Sequence, residues 1–351
     1  MLEIDGSLHS GSGIIVRQAV VYAALTGRPL RIRNARARRS RPGLRPQHLR
    51  AIEAVRDLVG GILEGAEVGS QSFVFRPGDL APAGPYTWDI GTAGSATMLA
   101  LAVLPLLAVR GRGVEAEIRG GLFQDFAPSF FHLKHVLLPM LAQTGVTAEI
   151  DMVRPGYVPA GEGVIRLSVP PAVHALRPLV PRRGQAPARI WGIALSSHLG
   201  DRHVSARMAD AARSVLGAAG ISAGIEERSD ATAAQPGAAF ALFAEFIGGA
   251  RLGADRAGAP HRPAERIGAR VAHQLLAEIA GGATIDRHAS DQILPFASLA
   301  SGASKFQVLS ISEHTETGGW LASLFLGADV RAEATTIVIH GRGTRRLPRD
   351  R

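Results

Sequence analysis

Apolar residues recur at three- and four-residue intervals in some stretches of this chain and alternate with polar ones in others. The two patterns follow one another in a repeating order. A polar, glycine-containing turn leads into an alanine- and leucine-rich helix, then a glycine break, then a strand. One copy reads IDGSLHSGSGIIVRQAVVYAALTGRPLRIRNA, a second WDIGTAGSATMLALAVLPLLAVRGRGVEAEIRG, and a third HASDQILPFASLASGASKFQVLS. A second helix and further strand-like sequence follow each copy, beginning at RPQHLR, PSFFHLK and GGWLAS. The pattern predicts an α+β fold of two-layer α/β sandwich units: three repeated units, each a four-stranded sheet plus two helices on one side.

The third unit does not follow the second directly. From 184 to 256 the chain reads as strand, helix, strand, a loose DATAAQPG connection, and a further strand AAFALFAEFIGG. This predicts a small inserted α/β domain at 184–256. The main domain would then comprise residues 1–183, with the first two units, and residues 257–351, with the third. GADRAGAPHRP is the expected exit from the insertion, and the helix at 263–279 is expected to re-enter the main body.

The chain has 351 residues, 46% of them hydrophobic, so a full core is easily built. The apolar run MLALAVLPLLAV contains Pro105 and is too short to span a bilayer, so it reads as a buried helix. With no membrane segment and no signal peptide in evidence, a cytoplasmic location is expected. There is no cysteine, which removes disulfides, thiolate metal sites and thiol catalysis.

Charge adds a more specific signal. The formal net charge is +9, and residues 31–50, RIRNARARRSRPGLRPQHLR, hold eight arginines and no acid. Guanidinium groups grip phosphate oxygens in pairs, so this stripe suits phosphates or nucleic acid, although arginine usage is high throughout the chain. The only lysines are Lys134 and Lys305. Neither stands in the K-x-D-G setting of the lysine that carries AMP in many nucleic-acid ligases. A covalent nucleotide would need another side chain.

IDGSLHSGSGIIVR, ARRSRPGLRPQHL, IGTAGS, YVPAGEG, SDQILP and EHTET occur in that order along the chain. A single glycine-rich turn says little. Together, the six segments resemble the RNA 3′-terminal phosphate cyclases over essentially the whole length. That resemblance implies three repeated α+β units with a small domain inserted between the second and third. It also implies a histidine nucleophile, matched by His314 in EHTET. The implied substrates are ATP and RNA with a 3′-phosphate end, with Mg²⁺ or Mn²⁺ as metal. A histidine nitrogen would take AMP from ATP and pass it to the RNA 3′-phosphate, and the neighbouring 2′-hydroxyl would close a 2′,3′-cyclic phosphate as AMP leaves.

The resemblance distributes the remaining roles. Arg17 is expected near the ATP phosphates. Arg38, Arg39 and Arg41, with Arg36 beside them, would face triphosphate or RNA. Gly94 and Ser95 would present backbone donors at a helix start, where anions are favoured, unless they form only a tight helix-start turn packed against its neighbour. Asp291 is the expected metal-side carboxylate, unless it serves as a helix N-cap. Gln292 beside it in SDQILP and Glu313 beside the nucleophile complete the expected nucleotide site. Asp5 reads as a turn residue that fixes the glycine loop.

This chain also departs from the family pattern. Ser10 stands for a glutamate, Ile14 and Leu101 for glutamines, and His9 for a glycine. Leu122, Gln124 and Phe131 replace a threonine, an asparagine and an aspartate. Glu162 replaces a glycine, and Gly318 an asparagine. The apolar replacements Ile14, Leu101 and Phe131 suggest a remodelled pocket. They leave open a phosphate acceptor other than RNA, or a non-catalytic RNA- or ribonucleoprotein-binding relative. A transferase of another kind rests on fold analogy alone. The sequence leaves oligomeric state open.

Overall fold

A computed structural model describes residues 1–81, 84–172 and 175–343. The first unit runs β1 (Leu2–Asp5), α1 (Gly13–Thr26), β2 (Leu30–Arg33), α2 (Pro46–Val59), β3 (Ile62–Glu64) and β4 (Phe73–Arg76). Its sheet has the order β1-β2-β4-β3, with β1 and β2 parallel and the other pairs antiparallel. The second unit repeats the plan with β5 (Pro85–Asp89), α3 (Ala96–Arg110), β6 (Val114–Gly120), a second helix, β7 (Glu149–Arg154) and β8 (Gly163–Val169), in the order β5-β6-β8-β7. That second helix is α4 (Phe130–His132) and α5 (Leu138–Ala142), joined by a π-helical stretch over Leu133–Leu137.

β9 (Arg189–Ser197), α6 (Val204–Ala218), β10 (Gly224–Asp230), β11 (Gly237–Glu245) and β12 (Arg251–Ala257) follow, in the sheet order β10-β9-β11-β12. Then come α7 (Ala264–Ala280), α8 (Ser290–Leu299), β13 (Ser301–Gln307), α9 (Glu313–Leu326), β14 (Asp329–Glu333) and β15 (Thr336–Arg342). Among the described residues the third sheet has three strands, in the order β13-β15-β14. Residues 176–179 lie parallel to β13: Ser301 N–H donates to Leu176 O and Lys305 N–H to Leu179 O. That is the place β1 and β5 take beside β2 and β6. The third unit therefore begins before the insertion, and the insertion separates its first extended segment from its first helix.

The helices face inward and the sheets outward. α1 packs against α2, α3 and α9, and α8 packs against α9 and α3. This explains why α1 is apolar around nearly its whole circumference, with twelve buried positions: it is covered by helices of all three units. The Pro105-containing run forms α3 and is buried, as its pattern predicted.

The helix expected to re-enter the main body does not do so. Ile267, Val271 and Leu275 of α7 share a second core with Met208, Ala212 and Leu216 of α6 and with Phe240 and Leu242 of β11. A Cβ at Gly268 would lie 1.9 Å from the Met208 carbonyl oxygen, so glycine permits this close helix approach. GADRAG, taken for an exit loop, forms most of β12, the edge strand of the same sheet. The smaller core thus extends beyond residue 256 to include α7. Both misreadings have one cause: amphipathic periodicity shows that a face is buried but not against what.

Candidate active site

The starts of four helices converge around His314. The loop before α9 ends at Ser312, whose hydroxyl caps the helix by accepting from Thr315 N–H at 3.1 Å. His314 is therefore in the first turn, half-buried. The α8 start is tied to it by the hydroxyls of Ser290 and Thr315, 3.0 Å apart. Asp291 and His314 each adjoin one member of that pair. The glycine turn before α1 is tied on as well, through Ser10 N–H donating to Thr317 Oγ1 at 3.2 Å. Thr317 in turn donates to Glu313 O at 2.6 Å. From the fourth helix, α2, comes His48. A Cβ on Gly13 would lie 2.2 Å from His48 Nε2, so only glycine lets the α1 start approach this ring.

Electrostatics follow from this crowding. Burial lowers the His314 pKa, and the charges of Arg17 and Arg39 lower it further against the opposing pull of Glu313. The imidazole is neutral, and so nucleophilic, at neutral pH. His48 is pushed down to about 2 by burial and then by Arg17, Arg36, Arg39 and Arg45. Its Nδ1 accepts from Arg45 N–H at 3.4 Å, which places the proton of the neutral ring on Nε2, toward Gly13. Burial pushes Asp291 up to about 6, while Arg17, Gln292 and His288 pull against that rise. Arg17 itself falls to about 10 through burial and Arg36, partly offset by Asp291. The α1 start has no side-chain cap and no acid in its first turn. Its N–H groups and the surrounding guanidiniums form a site for an anion.

The predicted residues divide by position. Arg17, Arg39, Asp291, Gln292, Glu313 and His314 come together; the Gln292 amide donates to Asp291 Oδ2 at 2.7 Å. Arg38 lies over the glycine turn and donates to His9 O at 2.6 Å. Arg36 is a structural clip, donating to Arg41 O and Gly43 O. Arg41 contributes that carbonyl, and its exposed side chain has no hydrogen bond or ion pair among the described residues. Gly94 and Ser95 do not present free donors. Ser95 N–H goes to Gln47 Oε1 at 3.0 Å, Gly94 N–H goes to Thr92 Oγ1 at 3.2 Å, and the Ser95 hydroxyl caps α3. Asp291 is not an N-cap, because Ala289 holds that position without a side-chain bond. Asp286 takes over the capping, its Oδ1 accepting from the N–H groups of His288 and Ala289. Asp5 does hold its turn, accepting from Ser7 and Asn34.

The departures also sort by position. Ile14, Leu122 and Phe131 are packed in the core, Phe131 against Phe123 with ring centres 5.0 Å apart, so they do not reshape a pocket. Leu101 does line a narrow cleft, with Arg17, Gln18 and Gln292. His9 stacks on Trp320 of α9 at 4.4 Å. Gln18 escaped sequence reasoning altogether. Its Nε2 donates to Asp291 O at 3.3 Å, and its Oε1 is buried without a partner among the described residues, facing Gly318. The only signal for it was its place after Arg17 on α1.

The described residues contain no group of three metal-ligating side chains. One buried carboxylate with an arginine beside it fits a cation that arrives on a triphosphate rather than one held in a protein cage.

A neutral imidazole set among helix starts and guanidiniums is an arrangement suited to an oligophosphate ligand. The family model for RNA 3′-terminal phosphate cyclase matches residues 8–332. The RNA 3′-terminal phosphate cyclase of Caldivirga maquilingensis is 38% identical over 336 residues, covering 94% of each chain. That of Nitrosospira multiformis is 40% identical, over 93% of this chain and 92% of its own, and that of Methylococcus capsulatus 39% identical over 97% of both. The chain belongs to the RNA 3′-terminal phosphate cyclase family.

Proposed function

We propose that this chain converts the 3′-terminal phosphate of RNA to a 2′,3′-cyclic phosphate, using ATP and carrying AMP covalently on His314. The observation that carries the reading is the setting of His314: neutral, half-buried, and within the fields of Arg17 and Arg39 at the mouth of several helix starts. A ring nitrogen attacks the α-phosphorus, and the bond to the pyrophosphate oxygen breaks. Arg17 and Arg39 neutralise charge on the phosphate oxygens as it moves to the leaving group. The RNA 3′-phosphate then attacks the same phosphorus, the nitrogen–phosphorus bond breaks, and an RNA-(3′)pp(5′)A end forms. The 2′-hydroxyl attacks the 3′-phosphorus, losing its proton to solvent, and AMP departs. Ring closure is intramolecular, so proximity supplies much of the rate.

Asp291 is the side chain that would hold a divalent cation arriving with the triphosphate, which would add charge neutralisation there. Glu313 and Gln292 orient the groups beside them. Retention of the histidine disfavours a purely RNA-binding relative.

The test is the intact mass of the protein after exposure to ATP with Mg²⁺ or Mn²⁺. Native protein gains one AMP, and His314→Asn gains none. An RNA 3′-phosphate then becomes resistant to phosphatase only with the native protein. A folded native protein that gains no AMP with either metal sinks the reading.

A further inference from the structure

A large cleft is lined by none of the side chains gathered around His314. It is a cavity of about 760 Å³ between α7 and the loop after β12, and it is walled by Arg256, Arg262, Arg266, Arg270 and Arg287. Two carboxylates face this cluster. Asp125 takes Arg262 at 2.8 Å and Arg256 at 3.8 Å, and the buried Glu278 takes Arg287. Arg266 and Arg270 have no ion pair among the described residues. His261 and His273 add no negative charge to the wall. The Arg256 pKa is lowered by burial and by Arg262 and Arg270, with Asp125 opposing, so the positive charge here is concentrated rather than dispersed.

An aromatic ring stands beside the cleft. Phe126 follows Asp125 and is completely exposed, at 106% of the reference surface, with φ at +72°. The arginine grip on Asp125 holds its loop at the cleft rim. A cationic groove with an exposed aromatic at its edge is the arrangement that tracks a single-stranded backbone and stacks one of its bases. An acidic protein segment would use the arginines and leave the ring without a role.

The cleft also lies close to the proposed chemistry. Arg287 is four residues before Asp291, so their Cα atoms are within about 14 Å of each other. A strand whose 3′ end lay at Asp291 and His314 would have Arg287 as its next cationic contact.

We infer that this cleft binds the single-stranded body of the RNA upstream of its reacting end, with phosphodiesters on Arg266 and Arg270 and a base on Phe126. The inference rests on the reading that an RNA 3′ end is the substrate. Its role is to select long single strands over short ones, which the proposed His314 chemistry does not do.

The experiment compares native protein with Arg266→Glu/Arg270→Glu and with Phe126→Ala. It measures AMP gain without RNA, cyclisation of a dinucleotide 3′-phosphate, and the affinity and salt dependence of a long single-stranded RNA 3′-phosphate. AMP gain and dinucleotide cyclisation stay at native levels in both variants. Affinity for the long strand falls roughly ten-fold or more in the double variant, and its log–log salt slope shrinks by about 1.4, as expected for two phosphate contacts on single strands. Phe126→Ala weakens long-strand binding at every salt concentration without changing the slope, and Phe126→Trp restores it. Native long-strand affinity and slope in the double variant overturn the inference, as does an equal loss on the dinucleotide and the long strand. Absence of AMP gain in the native protein is a different result and would strike the proposed function instead.

Discussion

Asp286 ties β12 and α4 to the start of α8, and Asp286→Ala makes a clear stability prediction. Its carboxylate is fully buried. Oδ2 accepts from Gly253 N–H on β12 at 3.0 Å and lies 3.0 Å from His132 Nε2. Oδ1 accepts from His288 and Ala289 N–H, each at 3.0 Å. Truncation leaves the buried Gly253 amide and the buried His132 imidazole without their acceptor and takes the side-chain acceptor from His288 and Ala289, of which Ala289 N–H keeps the Asp286 carbonyl at 3.1 Å. Removing one member of a buried pair costs about 3–5 kcal/mol. A second route gives a similar size. Burial works against the charged form of His132, but the charge and hydrogen bond of Asp286 outweigh it, helped by Asp255 and Asp291, and push its pKa up to about 9. His132 Nδ1 is buried without a partner among the described residues, so the rise comes from the carboxylates and not from a second hydrogen bond. Moving a histidine from its ordinary 6.5 to about 9 corresponds to roughly 3 kcal/mol.

The sign follows from linkage. The folded pKa is raised, so the stabilisation is complete below pH 6.5 and is lost as pH climbs through about 9. The assay is urea unfolding from pH 6 to 10, followed by tryptophan fluorescence, with hydrogen exchange read at Gly253, His288 and Ala289. Native protein weakens across that window. Asp286→Ala starts about 3–5 kcal/mol lower at pH 6, with a flatter profile and faster exchange at the Gly253 amide. A loss below about 1 kcal/mol with the Gly253 amide still protected would refute the reasoning.

Other outcomes follow from the site. Gly13→Ala forces a methyl onto the His48 ring, and destabilisation by about 1–3 kcal/mol with slower AMP gain is expected; calorimetry and mass spectrometry measure the two. The acid limb of AMP gain should fall at or below about pH 6, because His314 ionises below its ordinary range and Asp291 near 6; a limb at pH 7 or above contradicts both assignments. Arg17→Lys keeps a charge but not the planar fork, so AMP gain slows with little change in thermal stability, as single-turnover kinetics will read. Gly318→Asn brings an amide to the unpartnered Gln18 Oε1, and its stability stays within about 1 kcal/mol of native in urea unfolding.

Most helices were legible in the sequence because each buries a continuous apolar face, and α3 was legible as a buried helix; that α1 is covered on nearly every side was not. The glycine turn at 11–13 and the segment around His314 were also legible, since both are local. The contacts of Gly94 and Ser95 were not. A helix start looks the same in sequence whether its N–H groups await a ligand or meet Gln47, which lies 48 residues from Ser95. Ile14 and Phe131 were misread for the same reason: substitution by an apolar residue does not say whether the side chain points into a cleft or a core.

By itself, the sequence determined the repeating units, their periodic faces and a histidine in a setting shared with a family. Those are properties of neighbouring residues, where spacing alone decides what shares a face. Only the tertiary structure decided that residues 176–179 lie along β13, that α7 joins α6, and that His132 meets Asp286 across 154 residues of chain. It also brought Arg17, Arg39, Asp291 and His314 into one field. Burial and charge act through space, and no local pattern records which distant surface completes them.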